Sequence, residues 1–235
     1  MERKTVALLV KDFGRKYSDV LGIDLKGGGE KEVFKWFLAS ILFGAPIRES
    51  SAVNTYRCFE EHKVLTPRKI RQADWKGLVE ILDDGGYTRY DFKTADKLLQ
   101  VMGNLTEQYE ASLSKLYQCA SDAEDLEKRL KSLGKGIGDV TINIFLRELR
   151  FIWKKANPKP TPLVVLAAKN LGIASEESPK EILREMKRFW RENKSSGKTF
   201  VNFETALLRV GKDFCRKKRC EECRFRQCCL TVTSA

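Results

Sequence analysis

Hydrophobic positions recur along most of this chain at helical spacing. Val33, Phe34, Phe37, Leu38, Ile41 and Leu42 follow the i, i+3/i+4, i+7/i+8 pattern of one apolar helix face. Leu113, Leu116, Tyr117 and Ala120 make a second stripe. Residues 140–153 are apolar almost all round (Val140, Ile142, Ile144, Phe145, Leu149, Ile152, Trp153), which predicts a helix buried in the middle of a domain. Helix starts are marked as well. Thr66-Pro67, Thr161-Pro162 and Ser178-Pro179 each read as a capping residue followed by proline at the first helical position. Ser121 to Glu124 reads as a capping box, opening a helix that ends near Leu133.

Alternation of strand length is scarce, no Asn-Gly or Asp-Gly turn separates two apolar runs, and Asp84-Gly85-Gly86 reads as a connection between helices. The predicted class is all-α. One composition shift stands out. Asn157-Pro-Lys-Pro-Thr-Pro162 is a stiff, extended crossing, and Lys/Arg/Cys-rich sequence follows it. This predicts two helical lobes divided near residue 150.

Composition narrows the class of partner. Of the 235 residues 42% are hydrophobic, enough for a real core, which excludes wholesale disorder. No apolar run is long enough for a membrane span, and the N-terminus has no signal-peptide pattern, so a cytoplasmic monomer is expected, with thiols kept reduced. The net charge of +12 favours nucleic acid as partner.

Five of the seven cysteines fall in one short segment, Cys215, Cys220, Cys223, Cys228 and Cys229, spaced Cys-x4-Cys-x2-Cys-x4-Cys-Cys. Four thiolates from such a loop can hold zinc or a 4Fe–4S cluster. A single CxxC closely wrapped by its outer cysteines, with no His nearby, favours iron–sulfur over zinc. Residues 209–230 carry eight Lys or Arg against three acids. Lys217, Lys218 and Arg219 are candidates for phosphate contact, while some of these cations would only balance an anionic cluster. Cys58 and Cys119 stand alone in helical stretches and are expected to be buried.

Between the helix ending near Leu133 and the buried helix lies Gly134-Lys-Gly-Ile-Gly-Asp-Val-Thr141. Gly136 and Gly138 permit a tight turn with positive φ, and Ile137 between them can plug into the core. The amides after Gly138 would then point outward at a helix N-terminus, a phosphate-binding arrangement. Lys135, Gly136, Gly138, Val140 and Thr141, in the hairpin region 130–145, are the candidate contacts.

The hairpin and the cysteine loop, in this order, resemble the helix-hairpin-helix DNA glycosylase superfamily, in particular its endonuclease III branch with a C-terminal iron–sulfur loop. Gly211-Lys-Asp-Phe-Cys215, Lys218-Arg-Cys220-Glu-Glu-Cys223 and Cys229 are similar to that loop. Phe34 to Ala45 with Ser51-Ala-Val-Asn54 resembles an early helix and the minor-groove loop after it, and Leu166 to Ile173 resembles the helix following the catalytic aspartate. The resemblance implies a six-helix barrel lobe of residues 30–150, a cluster lobe formed by both termini (1–29 and 151–235), double-stranded DNA as partner (damaged or distorted DNA included), and a 4Fe–4S cluster as cofactor. It implies Cys215, Cys220, Cys223 and Cys229 as ligands. The five-residue spacing from Cys223 to Cys229 agrees with the family, and the four-residue spacing to Cys228 does not.

The chain also departs from the pattern. The first cysteine spacing is shorter than in the family. Bifunctional members carry a lysine two residues after the second hairpin glycine, where this chain has Val140, and valine cannot form a Schiff base. Thr161 stands at the position of the essential aspartate, and Gly44-Ala45 at that of the strand-filling glutamine. The expected function is DNA binding by an atypical or catalytically silent member related to base-excision repair. The alternative is an active monofunctional glycosylase with a relocated carboxylate, Asp139 or Asp91, whose base pocket would use Tyr87, Tyr90 and Trp153 unless these are core. A redox-sensing iron–sulfur protein is a third reading.

Overall fold

The computed structural model describes residues 1–233, and among them every regular element is helical. The helices run α1 (Arg3–Phe13), α2 (Tyr17–Leu21), α3 (Glu30–Phe43), α4 (Glu49–Glu61), α5 (Pro67–Gln72), α6 (Asp74–Asp84), α7 (Asp91–Tyr109), α8 (Leu113–Cys119), α9 (Ala123–Ser132), α10 (Asp139–Leu149), α11 (Pro162–Asn170), α12 (Pro179–Glu192), α13 (Phe200–Val210) and α14 (Leu230–Thr233). A π-helical turn, Gly211–Cys215, extends α13, and a short 3₁₀ turn, Arg226–Cys228, precedes α14.

The chain forms two units. The central one is Ser18–Pro158, and the terminal one joins Met1–Tyr17 to Lys159–Ala235. The central unit is therefore larger at both ends than residues 30–150. Leu21, Ile23 and Leu25 are buried, and the amide of Ser18 donates to the carboxylate of Glu148 at 3.1 Å. At the other end Trp153 stacks on Tyr117 with ring centroids 4.7 Å apart, and Arg150 donates to the carbonyl of Pro158 at 2.6 Å. These contacts carry the division to the proline-rich crossing itself.

In the central unit α3 is buried on nearly all sides, more than the single apolar face read from its spacing. Trp36, Ala39 and Ser40, at zero exposure, join the six apolar positions, all of them buried. Trp36 is accommodated because its indole N–H donates to the carbonyl of Phe145 on α10 at 3.0 Å, and Phe37 packs edge-on against Phe145. Tyr87 is core, its hydroxyl donating to the carbonyl of Leu42, and Trp153 is buried too; both are structural rather than base-stacking residues. In α10 Ile142, Phe145, Leu146 and Leu149 are buried as expected, but Val140 and Phe151, at the ends of the apolar stretch, are exposed. Ser51–Asn54 lies within α4, not in a loop; the connection after α3 is 44–48.

Thr66 and Thr161 cap α5 and α11 by accepting from the amides of Lys69 and Val164. Ser178 makes no side-chain cap. The cap of α9 is Asp122, one residue later than the reading from Ser121. Its carboxylate accepts from the amides of Glu124 and Asp125, while Asp125 reaches back to the amide of Ser121 at 2.8 Å.

The terminal unit has its own core. Val6, Leu9 and Val10 of α1, Val164, Ala167 and Ala168 of α11, and Phe203, Leu207 and Val210 of α13 are all buried in one cluster, with Cys215 and Cys223 packed against its edge.

Candidate nucleic-acid interface and thiol cluster

The hairpin forms because α9 runs out of apolar positions at Leu133 and α10 begins at Asp139. The amide of Ile137 donates to the carbonyl of Gly134 at 3.1 Å, and the Ile137 side chain is 4% exposed, the plug expected from sequence. Of the two glycines only Gly136 has positive φ, 88°. Gly138 is extended, and a Cβ there would meet nothing within 4 Å. Its value lies in leaving the first-turn amides of α10 without a side-chain cap.

Lys135, Gly136, Gly138 and Val140 are exposed together, Val140 at 61%. Thr141 is not: it is 3% exposed, because its side chain fills the space beside Gly44. The Thr141 side chain is therefore a packing group, and only its backbone belongs to the first turn of α10. Asp139 is exposed and paired with Lys131 at 2.5 Å, and Asp91 accepts from the amide of Phe92. Neither carboxylate sits in a buried site of the kind that tunes an acid for catalysis.

Helix α7 supports the hairpin through residues that no sequence signal marked. Gln100 accepts from the amide of Lys135 at 2.9 Å, across 35 residues of chain. Val101 packs where a Cβ on Gly134 would stand, and Lys97 lies over Gly136.

In the terminal unit the amide of Arg216 bonds to the carbonyl of Gly211, five residues back, and this widened turn carries Cys215. Burial pushes the Cys215 thiol up, and Cys223, Cys229 and Cys220 are close enough to push it further, against a hydrogen bond from Asn170 that lowers it. Burial raises Cys223 in the same way, with Cys229 and Cys220 contributing. Cys215 and Cys223 thus each lie within electrostatic reach of Cys220 and Cys229. Cys228 is not among them; it belongs to the 3₁₀ turn, whereas Cys229 is buried. Among the described residues no group of three or more His, Cys, Asp or Glu side chains is drawn together to hold a single metal ion. The donor set is soft sulfur only, which suits an iron–sulfur cluster better than a hard cation.

Four of the eight basic residues of this segment are paired with acids, three of these within the segment itself. Arg219 pairs with Glu222 at 2.8 Å, Lys217 with Asp213 at 3.8 Å, Arg224 with Asp12 at 2.6 Å, and Arg226 with Glu221. Of the three candidate phosphate contacts, Lys218 alone is outside these pairs, at a position with φ 54°. Cys58 is only partly buried and Cys119 is exposed, contrary to expectation. Helix α8 turns Leu113 and Leu116 inward and leaves Cys119 at its outer end.

No helix among the described residues is long and apolar enough to cross a membrane. No family model and no curated protein matches the chain. Among solved structures it is similar to the 3-methyladenine DNA glycosylase (MagIII) of H. pylori, determined bound to 1,N6-ethenoadenine, with a TM-score of 0.53 and 15% identity over 93% of this chain and 99% of that one. At this identity the likeness is one of fold: the chain has an all-helical fold like that of this DNA glycosylase.

Proposed function

We propose that this chain binds double-stranded DNA through the 133–138 hairpin, carries a 4Fe–4S cluster on Cys215, Cys220, Cys223 and Cys229, and is an atypical or catalytically silent relative of base-excision repair glycosylases. The observation that carries the reading is the hairpin: exposed Lys135, Gly136 and Gly138 before an uncapped helix start, on a plug of buried Ile137. Uncapped first-turn amides with the positive end of a helix dipole behind them suit phosphate. The glycosylase fold and the basic net charge support the same partner.

The electrostatic influence of Cys220 and Cys229 on both Cys215 and Cys223 supports the cluster and favours Cys229 over Cys228. When bound, such a cluster cross-links its loop to the unit and supplies a one-electron couple. The chain's own part is to hold that loop: Phe225 is buried beside the thiols, and Phe13 packs edge-on against both Phe214 and Phe225.

Silence in lyase chemistry rests on Val140, which offers no amine. Lys155, a possible substitute, is committed to the carbonyls of Tyr117 and Ala120. The test is duplex binding together with borohydride trapping on abasic-site DNA. Salt-dependent binding with no trapped complex is expected. No binding, or a strong trapped complex, overturns the reading.

A further inference from the structure

We propose that Lys97, on α7, is a second cation of the hairpin's phosphate site, beside exposed Lys135, and contacts the DNA backbone at the hairpin tip through its ammonium group. This rests on the DNA-binding reading above and assigns to it a residue 39 positions before Gly136 in the sequence.

The geometry is specific. A Cβ built on Gly136 would meet the Lys97 Cε at 2.8 Å and its Nζ at 3.4 Å. The lysine stem is therefore laid across the turn, and any side chain at position 136 would displace it. The same helix face holds the hairpin from below, through Gln100 on the amide of Lys135 and Val101 against Gly134. The ammonium is thus fixed to the hairpin by three consecutive contacts from one rigid element.

Among the described residues nothing answers its charge. Among the described residues Lys97 has no ion pair and no hydrogen bond. The acids nearest in sequence or at the hairpin are committed: Asp96 accepts from the indole of Trp75 at 3.0 Å, and Asp139 is paired with Lys131. Burial lowers the Lys97 pKa, and nothing in its surroundings offsets that cost. A half-buried cation with no partner is unfavourable in the free protein, and an arriving anion relieves it. Lys131 cannot serve in its place, because Asp139 already neutralises it. A backbone phosphate at the tip would meet the Lys97 ammonium as a charge-assisted hydrogen bond.

The experiment uses the full chain and a duplex oligonucleotide. Lys97→Met keeps the stem that covers Gly136 and removes the charge. Affinity at low salt should fall about tenfold or more, and the slope of log K against log salt should become shallower by about 0.9, one phosphate contact. The melting temperature of the free variant should be equal to or above that of the parent, which a merely structural lysine would not give. Lys93→Met, one turn away on the same helix, controls for loss of a single charge and should have a smaller effect. Equal effects at 93 and 97, or unchanged affinity and slope at Lys97→Met while the parent binds, overturn the assignment and leave the DNA-binding reading standing. A parent that binds no duplex overturns both. Should the variant not fold, amine acetylation of the parent decides. Protection of Lys97 by duplex supports the contact, and equal labelling with and without bound duplex refutes it.

Discussion

The side chain of Thr141 occupies the space that any side chain at Gly44 would need. The connection after α3 and the first turn of α10 are therefore locked together by the absence of a Cβ on one side and a hydroxyl on the other. The hairpin helix is thereby anchored at its first turn. The strand-filling glutamine expected from the resemblance gives way here to a glycine whose role is close approach.

Gly44→Ala should accordingly overpack this contact and destabilise the protein by about 1–3 kcal/mol. Chemical denaturation would measure it. Combining it with Thr141→Ala should recover a large part of the loss, since the two substitutions share one space.

Among the basic residues of the cysteine loop, Lys218 should matter most for DNA. Lys218→Ala should flatten the salt dependence of binding more than Lys217→Ala or Arg219→Ala, because those two already face Asp213 and Glu222. Exposed pairs of this kind contribute only about 0–1 kcal/mol. Releasing Arg219 by Glu222→Gln should therefore strengthen duplex binding at low salt with little change in stability. Titrations at several salt concentrations separate these outcomes.

The thiol arrangement predicts a brown protein with about four iron and four sulfide per chain. Cys215→Ser, Cys220→Ser, Cys223→Ser and Cys229→Ser should each lose the colour, and Cys228→Ser should keep it. Iron and sulfide analysis with absorption spectra checks this. A colourless, zinc-loaded protein would count against the cluster, and loss of colour in Cys228→Ser would reverse the choice of fourth ligand.

Lyase chemistry should be restorable in part. Val140→Lys with Thr161→Asp places an amine and a carboxylate at the positions where the resembling enzymes carry them. Aspartate is as good a helix cap as threonine, so α11 should keep its start. Weak cleavage of abasic-site DNA is expected in the double variant and not in the parent, read on a denaturing gel.

Acid should weaken the start of α9. The Asp125 carboxyl is held below the ordinary aspartate range, first by the amide of Ser121 and then by Arg129. A depressed folded value stabilises the native state above the unfolded pKa of about 3.9, and that stability is lost as pH falls through the lowered value. Asp125→Asn should remove this part of the pH dependence. Melting curves of parent and variant should differ at neutral pH and converge under strongly acid conditions.

Sequence alone determined the elements whose signals are local. The apolar periodicity of α3, α8 and α10, the caps at Thr66 and Thr161, the Ile137 plug and the five-cysteine segment all lie within a few residues of one another. Backbone sterics and helical repeat fix such features without reference to the rest of the chain. What the tertiary structure decided lies across longer separations. Residues 18–29 and 151–158 joined the central unit because Leu21, Leu25 and Trp153 found their burial there. Thr141 turned inward because Gly44 left room for it. Four cations of the cysteine loop are taken up by acids, one of them Asp12 at the far end of the chain. Lys97 came to lie on a glycine that no periodicity connects to it. Side-chain burial and charge pairing depend on which segments meet, and spacing along a chain carries no information about that beyond a helix turn or two.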